Sequence, residues 1–157
     1  MIEVKRIETG TEHDDAFMLM VEQFPELAGS TLEFYEYLLI AKKSNQVAGV
    51  IAVNKYIPKK AMLCAIVVKK ELRGTGIALH LLKRMGMLLQ RRGYTHLLGF
   101  TTKDNKAALN TFKRVNTNTD EQVIISSELE VSVPHIEQIE HRISMIKLKR
   151  NILRNGK

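Results

Sequence analysis

A chain of 157 residues, 45% hydrophobic and 26% charged, can bury roughly two-thirds of the surface it exposes when unfolded, so one domain can build its own core. Cys64 is the only cysteine, which excludes an intrachain disulfide, a paired-cysteine zinc site and a dithiol redox pair, and fits a reducing compartment. The net charge of +7 is unevenly placed, with 7 Lys/Arg against 9 Asp/Glu in residues 1–60 and 17 against 8 in residues 61–157. The second part attracts anions, whether nucleic acid or a polyanionic cofactor.

Met1 to Lys5 carry no basic region leading into an apolar run, and no apolar stretch reaches bilayer length, so a cytoplasmic protein without a membrane span is expected. Residues 2–7 alternate as a first strand, which Gly10 ends. Thr11 with Asp14 predicts the cap of a first helix, on which Phe17, Met20, Val21 and Phe24 share one face until Pro25. Ser30 and Glu33 have the spacing of a capping box, predicting a second helix through Leu32, Tyr35 and Leu39.

Residues 46–56 and 61–68 are apolar, β-branched segments that predict antiparallel strands joined across Pro58-Lys59-Lys60. The nearly continuous apolar character of the second predicts burial on both of its faces. A loop from Arg73 to Gly76 opens a long helix from about Ile77 to Arg92, closed by Gly93, with His80, Lys83, Arg84 and Arg91 on its polar side. Residues 95–102 read as a strand and 105–115 as a helix burying Ala108, Leu109, Phe112 and Val115. Two more strands are expected at 122–126 and 142–148, giving one domain over 1–150 and a basic tail at 151–157.

The chemistry concentrates in Val67-Val68-Lys69-Lys70-Glu71-Leu72-Arg73-Gly74-Thr75-Gly76-Ile77-Ala78, a strand turning through glycines into a helix. Glycines let the backbone approach a ligand closely, and the unpaired amides and positive dipole end of a helix favour phosphate. Lys69, Lys70 and Arg73 add positive charge. The segment lacks the Gly-Lys-Ser/Thr ending of a Walker loop and the glycine spacing of a dinucleotide fingerprint.

Arg73, Gly76 and Ala78 fill the pattern Arg/Gln-x-x-Gly-x-Gly/Ala, which resembles motif A of the GNAT superfamily of acyl-CoA-dependent N-acyltransferases. The resemblance extends from the strand at 46–56 to Asn105-Lys106-Ala107-Ala108-Leu109-Asn110-Thr111-Phe112, similar to the family's Asn-x-x-Ala-x-x-x-Tyr helix. Met145-Ile146-Lys147-Leu148 looks like the family's last strand. The resemblance implies an α/β (α+β) fold whose mixed, mostly antiparallel sheet has helices on both faces and splays between the strands near Val68 and Thr95. It implies acetyl-CoA as cofactor, with the pyrophosphate on the amides of Arg73, Gly74, Thr75, Gly76, Ile77 and Ala78. Val67, Val68, Asn105 and Phe112 would line the pantetheine arm, and a primary amine would attack directly with oxyanion-hole assistance.

Phe112 stands where the family commonly has the tyrosine that protonates the departing thiolate; Tyr94, Cys64 or a water are the substitutes. The family's Gly-Phe pair is replaced by Asn116-Thr117-Asn118-Thr119. The strand at 61–68 has no carboxylate to serve as base, leaving Glu33 and Glu36, which equally suit an ordinary solvated helix face. Cys64, on an apolar strand without a neighbouring histidine, reads as a core residue. His13, His80, His96, His135 and His141 have no metal-ligand spacing, so no metal is expected. Glu22, Glu26, Glu33 and Glu36 suggest a cationic acceptor: a lysine, polyamine, protein N-terminus or small amine. An acyl-CoA-binding sensor without turnover and a nucleic-acid-associated acyltransferase stand as alternatives, with monomer and homodimer both open.

Overall fold

The structure, a computed structural model, describes residues 1–102, 124–128 and 137–144, with side chains over residues 1–99. The described residues form seven strands: β1 (Ile2–Lys5), β2 (Tyr37–Lys43), β3 (Gln46–Ile57), β4 (Lys60–Val68), β5 (His96–Thr102), β6 (Ile124–Glu128) and β7 (Glu137–Ser144). They hydrogen-bond in the order β1-β2-β3-β4-β5-β7-β6. Helices α1 (Gly10–Gln23) and α2 (Ile77–Arg91) and three short 3-10 segments (Pro25–Gly29, Leu32–Phe34, Lys70–Leu72) complete the described elements. The contacts divide into two compact units, Met1–Lys55 with Leu63–Met85 and Tyr56–Met62 with Gly86–Lys157.

In the first unit β1, β2 and β3 form an antiparallel meander. Ser44 and Asn45, between paired Lys43 and Gln46, both have positive φ, the turn whose twist matches a two-residue hairpin. Ala41 pairs with Gly49 but Lys42 with Val47, so Ala48 is the extra residue of a β-bulge. The bulge resets the alternation, which is why Val47 and Val50 join Ala52 in one buried cluster. Ala16, Leu19 and Met20 of α1 cover that cluster together with Ala65 and Val67 of β4. Gly49 points to the opposite face, where a Cβ would meet Ile77 and Leu81 of α2 at 3.1 Å. Helices therefore cover both faces of β3, whose residues Val47 to Val53 are buried.

α1 starts with a reciprocal cap. The Glu12 amide donates to Thr9 Oγ1 at 3.1 Å, while Glu12 Oε1 accepts from the amides of Thr9 at 3.3 Å and Glu8 at 2.9 Å. The carboxylate is almost wholly buried and is held by Lys42 Nζ at 2.8 Å and Lys5 Nζ at 3.2 Å. Lys42, followed by the Glu8 amide, lowers its pKa to about 2, with burial opposing and Lys5 adding to the shift.

In the second unit the Lys59 carbonyl accepts from the Thr95 amide at 2.7 Å and from Thr95 Oγ1 at 3.1 Å. The Tyr94 amide donates to Leu89 at the end of α2. β5 is antiparallel to β7, with His96 opposite Ser144 and Thr102 opposite Gln138, and β7 is antiparallel to β6.

Several expectations need correction. The cap of α1 is Thr9 with Glu12, two residues earlier than Thr11 with Asp14. The second helix is absent: residues 25–29 and 32–34 are 3-10 turns, Thr31 rather than Ser30 caps Glu33, and Tyr37 begins strand β2. The driving force is pairing on both sides, to β1 and β3, which outweighs a helical spacing of three apolar residues. β4 buries Ala61, Ala65 and Val67, with Met62, Leu63, Cys64, Ile66 and Val68 half-buried and no residue of the strand exposed. β1 stops at Lys5, the strand expected at 122–126 is described over Ile124–Glu128, and β7, Glu137–Ser144, includes the first three residues of the strand expected at 142–148. The helix expected at 105–115 and the stretch Met145 to Leu148 lie outside the described residues.

Candidate functional site

The segment 67–78 lies entirely within the first unit. β4 ends at Val68, and the Lys69 amide donates back to the carbonyl of the bulged Ala48 at 2.9 Å. That bond leads the chain out of the sheet into the 3-10 turn Lys70–Leu72. Gly74 and Gly76 then take φ of +81° and +89°, a region that costs other residues on the order of 1–3 kcal/mol. The His80 amide donates to the Gly76 carbonyl at 3.1 Å and is the first rung of the α2 ladder. The amides of Ile77, Ala78 and Leu79 therefore have no acceptor within the helix, and they stand at its positive end.

Among the described residues, and apart from each glycine's own chain neighbours, no heavy atom lies within 4 Å of the position a Cβ would take on Gly74 or Gly76. Open space over two left-handed glycines, next to three helix-terminal amides, fits a diphosphate. Thr75 turns its hydroxyl inward, donating to the Leu72 carbonyl. Arg73 also turns away from the helix: Nε donates to the Val68 carbonyl at 3.3 Å and an NH2 group to Gln23 Oε1 at 3.1 Å. Its guanidinium ties the loop to the end of β4 and the end of α1.

The remaining candidates separate into three groups. Glu33 and Glu36 belong to the first unit but are exposed: Glu33 follows its Thr31 cap, and Glu36 pairs with Lys55 at 3.5 Å. The Glu36 amide donates to Asn54 Oδ1 at 2.7 Å, which fastens the 32–36 turn to β3. Tyr94 is buried in the second unit. Asn105 and Phe112 lie outside the described residues.

Two further groups flank this side of β4: Tyr35, which sequence reasoning missed as a site residue, and Cys64, which it weighed as a substitute acid and as a core residue. Tyr35 is half-buried beside the core cluster, and burial raises its phenol above the ordinary value, with the Cys64 thiol and Glu26 adding to the shift. Burial also pushes the Cys64 thiol up, partly offset by its hydrogen bond to the Asn54 backbone, so at neutral pH it is a protonated thiol rather than a nucleophile. Gln23 and Asn54, which hold Arg73 and Glu36, carried no signal, since their partners lie 50 and 18 residues away.

No curated protein is significantly similar to the sequence. Solved structures are similar over nearly its whole length. The ribosomal-protein-S18-alanine N-acetyltransferase from Escherichia coli is 18% identical with a TM-score of 0.65, covering 92% of this chain and 94% of that one. Ard1 from Thermoplasma volcanium is 13% identical with a TM-score of 0.70, covering 91% and 97%. The Salmonella typhimurium protein yncA, solved with its cofactor acetyl-CoA, is 12% identical with a TM-score of 0.67, covering 92% and 94%. At such identities the likeness establishes the fold.

A mixed α/β fold, mostly antiparallel, with a glycine-lined strand-to-helix turn is the architecture shared with these acetyltransferase structures. Residues 5–116 match the family model described as Acetyltransferase (GNAT) family, more than half of the chain, and the protein belongs to that family. Among the described residues no helix is long and apolar enough to cross a membrane.

Proposed function

We propose that the protein transfers an acetyl group from acetyl-CoA to a primary amine by direct attack, without an acyl-enzyme, in the cytoplasm. The observation that carries this reading is the open, left-handed pair Gly74 and Gly76 at the start of α2. Acetyl-CoA, when bound, supplies an activated thioester. The main-chain amides of Gly74, Thr75, Gly76, Ile77 and Ala78 would hold its pyrophosphate, and Arg73 would brace the loop from behind. Val67 and Val68, at the end of β4, would offer main-chain groups to the pantetheine arm. By resemblance, Asn105 and Phe112 would complete the cofactor's surroundings.

Attack requires a neutral amine and a proton for the departing thiolate. Glu33 and Glu36 are the candidates to accept the amine's proton, and a water the candidate to supply the other. Glu22, Glu26, Glu33 and Glu36, all exposed in the first unit, favour a cationic acceptor.

The test is the melting temperature with and without acetyl-CoA in wild type, Gly76→Glu and Gly76→Ala. The two variants share the strain at φ +89°, and only the first adds a repelling carboxylate. At a hundredfold excess over Kd, a ligand bound only by the native state adds about 2.7 kcal/mol, or roughly 5–10 °C for a protein of this size. The shift should vanish in folded Gly76→Glu and persist, reduced, in Gly76→Ala. No shift in folded wild type would end the cofactor reading. A broad amine panel without transfer by a protein that binds acetyl-CoA would instead favour the sensor that Phe112 suggests.

A further inference from the structure

The second unit presents a cationic surface that acetyl transfer does not use. Its segments 56–62 and 86–102 contain Lys59, Lys60, Arg91 and Arg92 and not one Asp or Glu. Lys59, Arg91 and Arg92 are exposed and Lys60 is half-buried. No ion pair among the described residues involves any of the four.

The hydrogen bonds bring these cations together. The Lys59 carbonyl is gripped by the Thr95 amide and hydroxyl at 2.7 and 3.1 Å, and Arg92 lies three residues before Thr95, a span of at most about 11 Å. Lys59 itself holds φ at +63°, so the turn is a fixed corner. The register of β5 with β7 places Ser144 opposite His96 and Glu140 opposite Phe100.

At the same corner Tyr56 is 51% and Ile57 46% exposed, among the few large apolar side chains so displayed. Charge tracking a backbone beside an exposed aromatic ring is what single-stranded nucleic acid requires. An acidic peptide would match the charge as well, but the exposed Tyr56 ring beside the cations offers a stacking face that a nucleobase uses and a carboxylate does not. We propose that the hairpin corner Tyr56–Lys60, with Arg91 and Arg92, is a docking surface for single-stranded nucleic acid, independent of the acetyl-CoA reading.

The experiment is fluorescence anisotropy of a labelled 12-nucleotide oligouridine with the full chain, titrated at several salt concentrations. The variants are Tyr56→Ala and the triple change Lys59→Asn, Lys60→Gln, Arg92→Gln; asparagine tolerates the positive φ at residue 59. Melting curves confirm that each variant is folded. Wild type should bind with a steep salt dependence. The triple variant should flatten the log–log salt slope by about 2, at ~0.7 per phosphate contact on single strands. Tyr56→Ala should weaken binding roughly tenfold.

No binding by folded wild type overturns the proposal, as does binding that neither variant alters. Competition by acetyl-CoA would assign the oligonucleotide to the Gly74–Gly76 cradle, and that result also refutes the docking surface. Binding to phosphatidylserine vesicles or to an acidic peptide, but not to the oligonucleotide, would assign the corner to a different partner and equally refute it.

Discussion

Gly49→Ala tests how β3, β4 and α2 are assembled around the loop. A Cβ at residue 49 would stand 3.1 Å from Ile77 Cγ2, 3.1 Å from Leu81 Cδ1 and 3.1 Å from the Val67 carbonyl oxygen. Relief of all three requires displacements of a few tenths of an ångström in α2 and in β4 at once, and one of the three neighbours is main chain. Overpacking of this kind costs about 1–3 kcal/mol, against which alanine recovers roughly 0.5–1 kcal/mol through the unfolded chain. The net expectation is a loss on the order of 1–2 kcal/mol, or about 2–8 °C in Tm. Because Ile77 and Val67 border the loop, acetyl-CoA affinity should fall as well, in isothermal titration, by a factor larger than for Leu89→Val, which trims a buried side chain towards the far end of α2. An alanine variant as stable as wild type, with unchanged acetyl-CoA affinity, would show that Gly49 is not the contact that seats α2.

Three further predictions address other parts of the chain. Arg73→Gln removes the tie to Val68 and Gln23 while leaving the glycines in place; Tm should hardly move, but acetyl-CoA affinity should fall about fivefold, the worth of one hydrogen bond, and unchanged affinity would deny Arg73 a bracing role. Glu12→Gln keeps the capping geometry but removes the charge held by Lys42 and Lys5. Because the folded pKa is depressed to about 2 from 4.5, the stabilisation is complete above the unfolded value and is lost as pH falls from about 4.5 through 2; the Tm gap between wild type and variant should therefore narrow over that window and nowhere higher. Met20→Ala, at a fully buried position of the core cluster, should cost about 2–5 kcal/mol in urea unfolding, without altering the denaturant slope.

What could be read from the sequence was what is decided locally. The glycine loop was legible because Gly74 and Gly76 answer a backbone requirement that no distant residue modifies, and α2 because its apolar face repeats through Ile77, Leu81, Met85 and Leu89. β2 was misread because Leu32, Tyr35 and Leu39 also satisfy a helical spacing, and only the partners β1 and β3 decide between the two. The Thr9 cap was misplaced by two residues because Thr9–Glu12 and Thr11–Asp14 share one spacing. Glutamate is the side chain that reaches back to close the box, so the rule for choosing was present in the sequence.

Gly49 offered a signal too, since a lone glycine in an apolar strand marks either a bulge or a close approach, and here it marks both: Ala48 bulges beside it and α2 packs onto it. Arg73 was a different case. Sequence reasoning made it one more positive charge for a phosphate, yet its geometry depends on Gln23, fifty residues earlier. Local pattern therefore located the glycine turn, whereas long-range pairing determines which of its neighbours hold the loop still. The same distinction applies at Lys59: its charge is plain in the sequence, but the grip of Thr95 on its carbonyl is what ties its turn to the chain that follows Arg92.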